Sequence, residues 1–474
     1  MPGDRDTEQY STVTGLIYVF NLIVGTGALA LPGAIAKAGW FFGLLMVCLL
    51  GLISLITVTF IVESLAVVNA ISRSKRFAGN VQADEDVQDT TPLVAGQEMQ
   101  DESDRVFDIV EKYEIDEMGT VLLPRPVRLL TFLCLITYLF GDLSIYCAVV
   151  AKTLSHVVCT NRPENDSCNK TIPDDTPCWS GYQLSRISAY RIFVCIFVLL
   201  LGPFAFFNLQ KTKFLQILTS AMRWIAFIIM ISWSIQKLVT YGPQGSPPFA
   251  NLFALPTLFG TCVYAFMCQH SVPGLVQPMA NKMALKKSFS FDYILITLFY
   301  LLLAMTAVFT FERVEDLYTL NFWSDDCNNQ VSKSVLFLDY YLALFPVFTL
   351  STSFPIIAIT LRNNMKNMFV KENADYNFFV DKLLFPTISV TVPAVLALAV
   401  SDLQKLVGVI GSFAGAGVQY FIPCVLVVAA RSRAKAQFTS KNPFVSPFSA
   451  KFWVIAVYFW MFVCLILISV YYAT

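Results

Sequence analysis

Asn21-Leu-Ile-Val-Gly25-Thr26-Gly27-Ala-Leu-Ala-Leu31-Pro32-Gly33 lies inside an apolar run over residues 11–38. Glycine carries the largest helix cost of the ordinary residues, and proline removes a backbone donor. Yet the run is long enough to cross a bilayer, which takes roughly 20 mostly apolar residues. In that setting, backbone groups freed by a break must find partners or line a polar cavity. Two readings of the stretch follow. Small residues at Gly25 and Gly27 let a neighbouring membrane helix approach closely, or the helix is broken at mid-membrane.

A second stretch favours the break. The apolar run 252–279 carries Gly260-Thr-Cys-Val-Tyr264 and then Cys268-Gln269-His270-Ser271-Val272-Pro273-Gly274. Candidate spans are 11–38, 40–69, 126–157, 189–208, 213–240, 252–279, 288–311, 335–361, 379–400, 403–430 and 450–473. The first interruption opens the first five spans and the second opens the next five. With an odd number in each set, the second set is inverted relative to the first. Interrupted helices at matching positions of two halves are the sequence pointer to a transport site, where helix N-termini face anionic groups and unwound carbonyls meet cations.

Composition agrees with a polytopic membrane protein. Apolar residues make up 56%, charged residues 14%, and mean hydropathy is +0.62. A soluble domain is about half apolar and about a quarter charged. Net charge is zero, and no basic tract of the kind that grips nucleic acid is present. No nucleophile motif, phosphate-binding glycine loop or metal-ligand cluster points to an enzyme, and no cofactor or metal is expected. No signal peptide is expected before the first span, because residues 1–11 are polar and acidic.

Lysines and arginines set the expected orientation. Arg73, Lys75 and Arg76, Lys211 and Lys213, Lys282, Lys286 and Lys287, Arg362 and Lys366, and Arg431, Arg433 and Lys435 all fall in one alternating set of loops. That set, and the N-terminal tail 1–10, should be cytosolic. The opposite loop 158–188 holds two glycosylation acceptor patterns, at Asn165 and Asn169. It also holds Cys159, Cys168 and Cys178, with Cys327 in the next large loop of that face. Four cysteines on an oxidising face suit two disulfides, in any of three connectivities. Cys48, Cys134, Cys195 and Cys464 fall inside apolar runs and read as packing residues.

The loop 70–125 differs. Its stretch 77–124 has thirteen acidic residues against Arg105 and Lys112, a net charge of −11. Disorder over most of it is expected, either as a solvated loop or as the site of a cytosolic partner. Asp89-Thr-Thr-Pro-Leu93-Val94 and Tyr10-Ser-Thr-Val13 loosely match short sorting signals.

Charges inside spans are costly and face a partner or water. Asp142 in the third span and Arg223 in the fifth either pair, line one cavity, or are satisfied separately. His270 has a titration range suited to a coupled proton, and equally suits a structural donor and acceptor. Glu63 is placed where it can reach the interface. Thr349, Ser351, Thr352 and Ser353 precede Pro355 in the eighth span. Their oxygens suit a hard cation or bonds between helices. Gly408, Gly411, Gly415 and Gly417 read mainly as packing positions, with some hinge capacity.

Val19-Phe-Asn21-Leu-Ile-Val-Gly25-Thr26-Gly27, and Phe259-Gly260 through His270 to Pro278, resemble the amino acid/auxin permease family. Leu201-Gly-Pro-Phe204, Lys211-Thr-Lys-Phe-Leu-Gln216, Met222-Arg223-Trp224 and Phe345-Pro-Val-Phe348 through Arg362-Asn-Asn364 are similar to one branch of it. The resemblance covers nearly all spans. It implies an all-α polytopic fold with about eleven transmembrane helices: two inverted five-helix repeats and one more. It implies a small zwitterionic substrate, with Gly25, Thr26 and Gly27 at its carboxylate. Cys268, His270 and Ser271 of the second interruption are the other candidate substrate-binding residues. Asn21 and Ser353 match sodium-binding positions of sodium-coupled relatives. The expected function is sodium- or proton-coupled transport of amino acids or similar zwitterions by alternating access, in a plasma or endolysosomal membrane. The alternative is a transporter-fold sensor or scaffold that binds an amino acid without moving it.

Overall fold

The computed structural model describes residues 11–84, 106–161, 173–207, 213–323, 333–369 and 379–473. Among them the chain is almost wholly helical. Nine helices are long and apolar enough to cross a membrane, and a bent pair makes a tenth. The expected sixth span, 252–279, is instead a short apolar helix, a turn and one further helical turn.

The bent pair is α1 (Thr12–Ile23) and α2 (Thr26–Ala38), which meet at an angle of 48° around Gly25. Ser11 caps α1 by accepting from the Thr14 amide at 3.2 Å. Gly39 ends α2 with φ of +99°, the left-handed region that favours glycine. The chain then passes directly into α3 (Trp40–Asp84). Its 45 residues span about 68 Å at 1.5 Å each, so α3 runs well past the expected end at residue 69.

Helix α3 meets the end of the acidic loop, and here expectation needs correcting. Residues 106–124 are folded and include α4 (Ile115–Leu122), whose N-terminus carries a Glu114/Glu117 capping box. The Asn69 side chain of α3 accepts from the Val110 and Glu111 amides at 3.1 and 2.8 Å and donates to the Glu111 carbonyl at 3.3 Å. Arg76 pairs with Glu111 through both guanidinium nitrogens. Phe107, Ile109, Ile115, Met118 and Leu122 are buried. Charge averaged over the whole loop concealed this apolar set. Asp89–Val94, Tyr10, Asn165, Asn169, Cys168 and Cys327 lie outside the described residues.

Beyond it run α5 (Arg125–Val158), α6 (Arg186–Leu201) and α7 (Lys213–Tyr241). The loop after α5 is closed by a Cys159–Cys178 disulfide. Next come α8 (Leu255–Ala265), α9 (Val272–Val276), α10 (Leu285–Thr310), α11 (Lys333–Phe369) and α12 (Phe385–Ala399). Then α13 (Leu403–Ile410) passes through two π-turns, Gly411–Gly415 and Gly417–Phe421, into α14 (Ile422–Gln437). Helix α15 (Lys451–Ala473) closes the chain.

The glycines of α13 and its π-turn are crossing points. A methyl added at Gly260 would stand 2.0 Å from the Gly408 carbonyl oxygen, and one at Gly411 would stand 2.0 Å from that of Gly260. Only hydrogen fits between these backbones. Glu63 does not reach out of the bundle. It is 2% exposed. Arg431 of α14 grips it bidentately at 2.8 Å through each oxygen, and the Ser446 amide donates to it at 3.0 Å. Helix α11 continues through Pro346 and Pro355, and Thr349, Ser351, Thr352 and Ser353 donate back to carbonyls of their own helix. Among the described residues they make no bond to another helix.

Candidate functional site

The two interrupted helices meet at a cavity of about 610 Å³, within the size range of small-ligand sites. Its wall takes Asn21, Gly25, Thr26 and Gly27 from the first break, and Tyr264, His270 and Ser271 from the second. Helix α5 adds Tyr138, Asp142 and Tyr146, α7 adds Arg223, and α11 adds Ser353. The lining continues through Gly274, Pro278, Thr219 and Thr360 toward the face that carries the basic loops.

Gly25 ends one helix and caps the next. The Val24 amide still bonds back to Phe20 at 2.9 Å, while the Ala28 amide already bonds to the Gly25 carbonyl at 3.2 Å. Thr26 and Gly27 thus form the first turn of α2, where amides lack intrahelical partners and the helix dipole is positive. In the second break, the Tyr300 hydroxyl lies 2.8 Å from the Ala265 carbonyl and 3.0 Å from the Ile23 carbonyl. One hydroxyl, with a single proton to donate, therefore stands between a carbonyl of each interruption.

A hydrogen-bonded chain crosses the cavity wall. Tyr264 donates to Asp142 Oδ1 at 2.6 Å, and the Thr26 hydroxyl lies 2.8 Å from the Tyr264 oxygen. Since Tyr264 spends its single proton on Asp142, Thr26 is the donor in the second bond. Asp142 is 5% exposed. Arg223 donates to the Asn21 carbonyl. Asp142 and Arg223 thus line one cavity and each bonds elsewhere; they are not an ion pair.

The other predicted residues divide. Asn21 presents a side-chain amide with both polar atoms buried and unpartnered among the described residues. His270 lines the cavity with Nδ1 equally unpartnered, its ring 5.4 Å from that of Tyr138. Ser271 and Ser353 are also on the wall. Cys268 is not. Its thiol lies 3.1 Å from the Tyr293 hydroxyl, behind the break. There Gln269 donates to Ser54 at 2.9 Å and Thr57 at 3.1 Å, fastening the break to α3. Tyr138, Tyr146, Tyr264 and Tyr300 had no assigned role in the sequence. The Tyr264 position, inside the polar stretch after Gly260, was the available signal.

Away from this cavity, on the opposite face, Asp316 bridges Lys37 at 3.1 Å and Lys152 at 3.3 Å. The two ammonium groups hold its carboxyl below the usual carboxylate range despite burial. Tyr318, which follows Asp316 closely in the chain, shares a 2.8 Å hydrogen bond with Ser234.

Two broken helices enclosing a polar cavity inside an all-α membrane bundle define a polytopic membrane protein of the broken-helix transporter type. The chain belongs to the transmembrane amino acid transporter protein family, whose model matches residues 8–470. It is similar to the transmembrane protein 104 homolog of Drosophila melanogaster, 42% identical over 99% of this chain and 98% of that one. It is also similar to transmembrane protein 104 of Gallus gallus, 42% identical over 98% and 97%. A transmembrane protein 104 homolog of Dictyostelium discoideum is 30% identical over 98% and 97%.

Proposed function

We propose that the protein is a secondary active transporter of amino acids or similar small zwitterions, working by alternating access. One observation carries this reading: a single cavity is walled by both helix breaks, with the first turn of α2 and the Asp142 carboxylate on its surface. Its lining runs toward the basic-loop face, while Asp316 ties Lys37 to Lys152 on the other. That pairing suits a conformation open to one side only. The basic-loop face is taken as cytosolic.

A proton is favoured over sodium as coupling ion. The guanidinium of Arg223 already stands at the Asn21 carbonyl, where a bound cation would otherwise go. Asp142, at the end of the Thr26–Tyr264 chain, supplies a carboxylate that a proton can neutralise once the substrate has left, so that proton and substrate occupy it in turn and the coupling is an exchange. Purified protein in liposomes, offered the common amino acids under sodium or proton gradients, should take up at least one saturably, driven by the proton gradient without sodium. Absence of uptake under either gradient would overturn the reading, and strict sodium dependence would overturn the coupling.

A further inference from the structure

A buried charge without a counter-charge is costly, and in a membrane it faces either a partner or a water-filled space. Asp142 and Arg223 each meet one neutral protein partner, Tyr264 and the Asn21 carbonyl respectively. Both line the same cavity. Tyr146 is on the wall of that cavity as well. Arg223 has five N–H donors in a planar fork and spends one on Asn21, which leaves a set suited to bidentate binding of a carboxylate. Asp142 has one oxygen engaged by Tyr264, which leaves Oδ2 and further lone pairs for a donor.

The surroundings say which ligand group goes where. Gly25, Thr26, Gly27 and Arg223 all line the main cavity, so the guanidinium-bearing residue and the first turn of α2 share one wall. That wall is positive twice over, from the fixed cation and from the helix dipole. Asp142, joined to Thr26 of that turn through Tyr264, is the negative point of the same cavity.

Resting on the transporter reading above, we propose that Arg223 and Asp142 are its specificity-determining residues. Arg223, with the N-terminus of α2, receives the substrate carboxylate, and Asp142 receives the ammonium group. The substrate class is then an α-amino acid with both groups free. A monocarboxylate would leave Asp142 uncompensated, and a monoamine would leave Arg223 uncompensated. Either loses the charge-assisted bond and leaves a desolvated charge behind.

The test is binding to the purified full chain, read as ligand-induced thermal stabilisation and by calorimetry. The common amino acids are screened first, then the N-acetyl derivative and the carboxamide of each that binds. Both derivatives should bind at least about ten-fold more weakly than the parent. Asp142→Asn should weaken the parent by a similar factor and leave the N-acetyl derivative unchanged. Arg223→Gln should do the same for the parent and spare the carboxamide. Derivatives that bind the native chain as tightly as the parent overturn the assignment with no variant needed. Equal weakening of all three ligands by a variant overturns it too, because that is the mark of a general structural defect. If no amino acid binds at all, the transporter reading itself falls, an outcome distinct from either of these.

Discussion

Gly27 of α2 and Ala265 at the end of α8 are in direct contact: a methyl added at Gly27 would stand 2.4 Å from the Ala265 Cα. The two helix breaks are therefore packed against each other as well as facing one cavity. The Tyr300 hydroxyl reinforces the contact from α10 by reaching a carbonyl on each side. A displacement of either break is transmitted to the other through backbone contact, without an intervening side chain that could deform.

Glycine substitutions should separate packing from binding. Gly27→Ala and Gly260→Ala each drive a methyl into backbone, 2.4 Å from Ala265 Cα and 2.0 Å from the Gly408 oxygen. Overpacking of this kind costs about 1–3 kcal/mol or more. Both variants should give less monodisperse protein in detergent and a lower unfolding temperature. Gly25→Ala meets nothing within 4 Å, and its φ is −116°. It should fold normally while placing a methyl on the cavity wall, so its defect should appear in ligand binding alone.

Tyr264→Phe removes both links of the Thr26–Tyr264–Asp142 chain and leaves Asp142 Oδ1 without its donor. A hydrogen bond to a charged group contributes about 1.5–3 kcal/mol, which corresponds to roughly 10- to 100-fold in uptake efficiency. Thr26→Val breaks only the outer link, which joins two neutral groups, and should cost several-fold less. Uptake kcat/KM for the two variants checks the order. Equal losses would show that the chain does not act through Asp142.

How much of this was legible depends on what each residue type signals by itself. Gly25 and the Cys268–Gly274 stretch were readable because glycine, proline and polar residues are rare punctuation in an apolar span. Asp142 and Arg223 were readable because charge is rarer still. Tyr264 and Tyr300 were not, since tyrosine in a membrane helix is equally at home in the core or at an interface. Cys268 was adjacent in sequence to the right residues but points to Tyr293, because the turn after α8 sends Cys268 and Gln269 behind the break and only His270 and Ser271 to the cavity. Glu63 was misplaced for a different reason. Its setting depends on how far α3 continues and on Arg431, 368 residues away, and neither shows in local sequence. The folded stretch 106–124 was hidden by averaging charge over a longer loop.

That stretch carries a pH dependence of defined sign. Asp116 is 4% exposed. Burial pushes its carboxyl up, only partly offset by the 2.8 Å bond from Asn367 of α11. A folded pKa above the unfolded one means that docking carries a penalty at high pH, relieved as pH falls through the folded value. Asp116→Asn should therefore dock residues 106–122 at least as firmly as the native chain at neutral pH. The difference should shrink on acidification. Limited proteolysis of the segment at a series of pH values measures this. Native docking that weakens on acidification, while the variant is unchanged, would reverse the sign and refute the argument.

Asp316 carries the opposite dependence, on the other face. Its carboxyl is held low by Lys152 and Lys37, so the stabilisation it provides is complete above the unfolded carboxylate value of about 3.9. It is lost only as pH falls through the lower folded value. Acidification from neutral to about pH 5 should leave this closure intact. Removing the carboxylate should open it at any pH. A cysteine in place of buried Ser234, whose hydroxyl bonds Tyr318 of the same loop as Asp316, reports on opening through its labelling rate. Cys48 and Cys195, the exposed free thiols among the described residues, are first replaced. Asp316→Asn should raise the labelling rate. The lysine side chains are 56% and 29% exposed, and partly exposed ion pairs contribute up to about 1 kcal/mol each. The increase should therefore be modest, on the order of five-fold. A native chain whose Ser234→Cys site already labels faster at about pH 5 than at neutral pH would contradict the sign derived from Asp316, and an Asp316→Asn variant with no increase would show that the two lysines hold nothing closed.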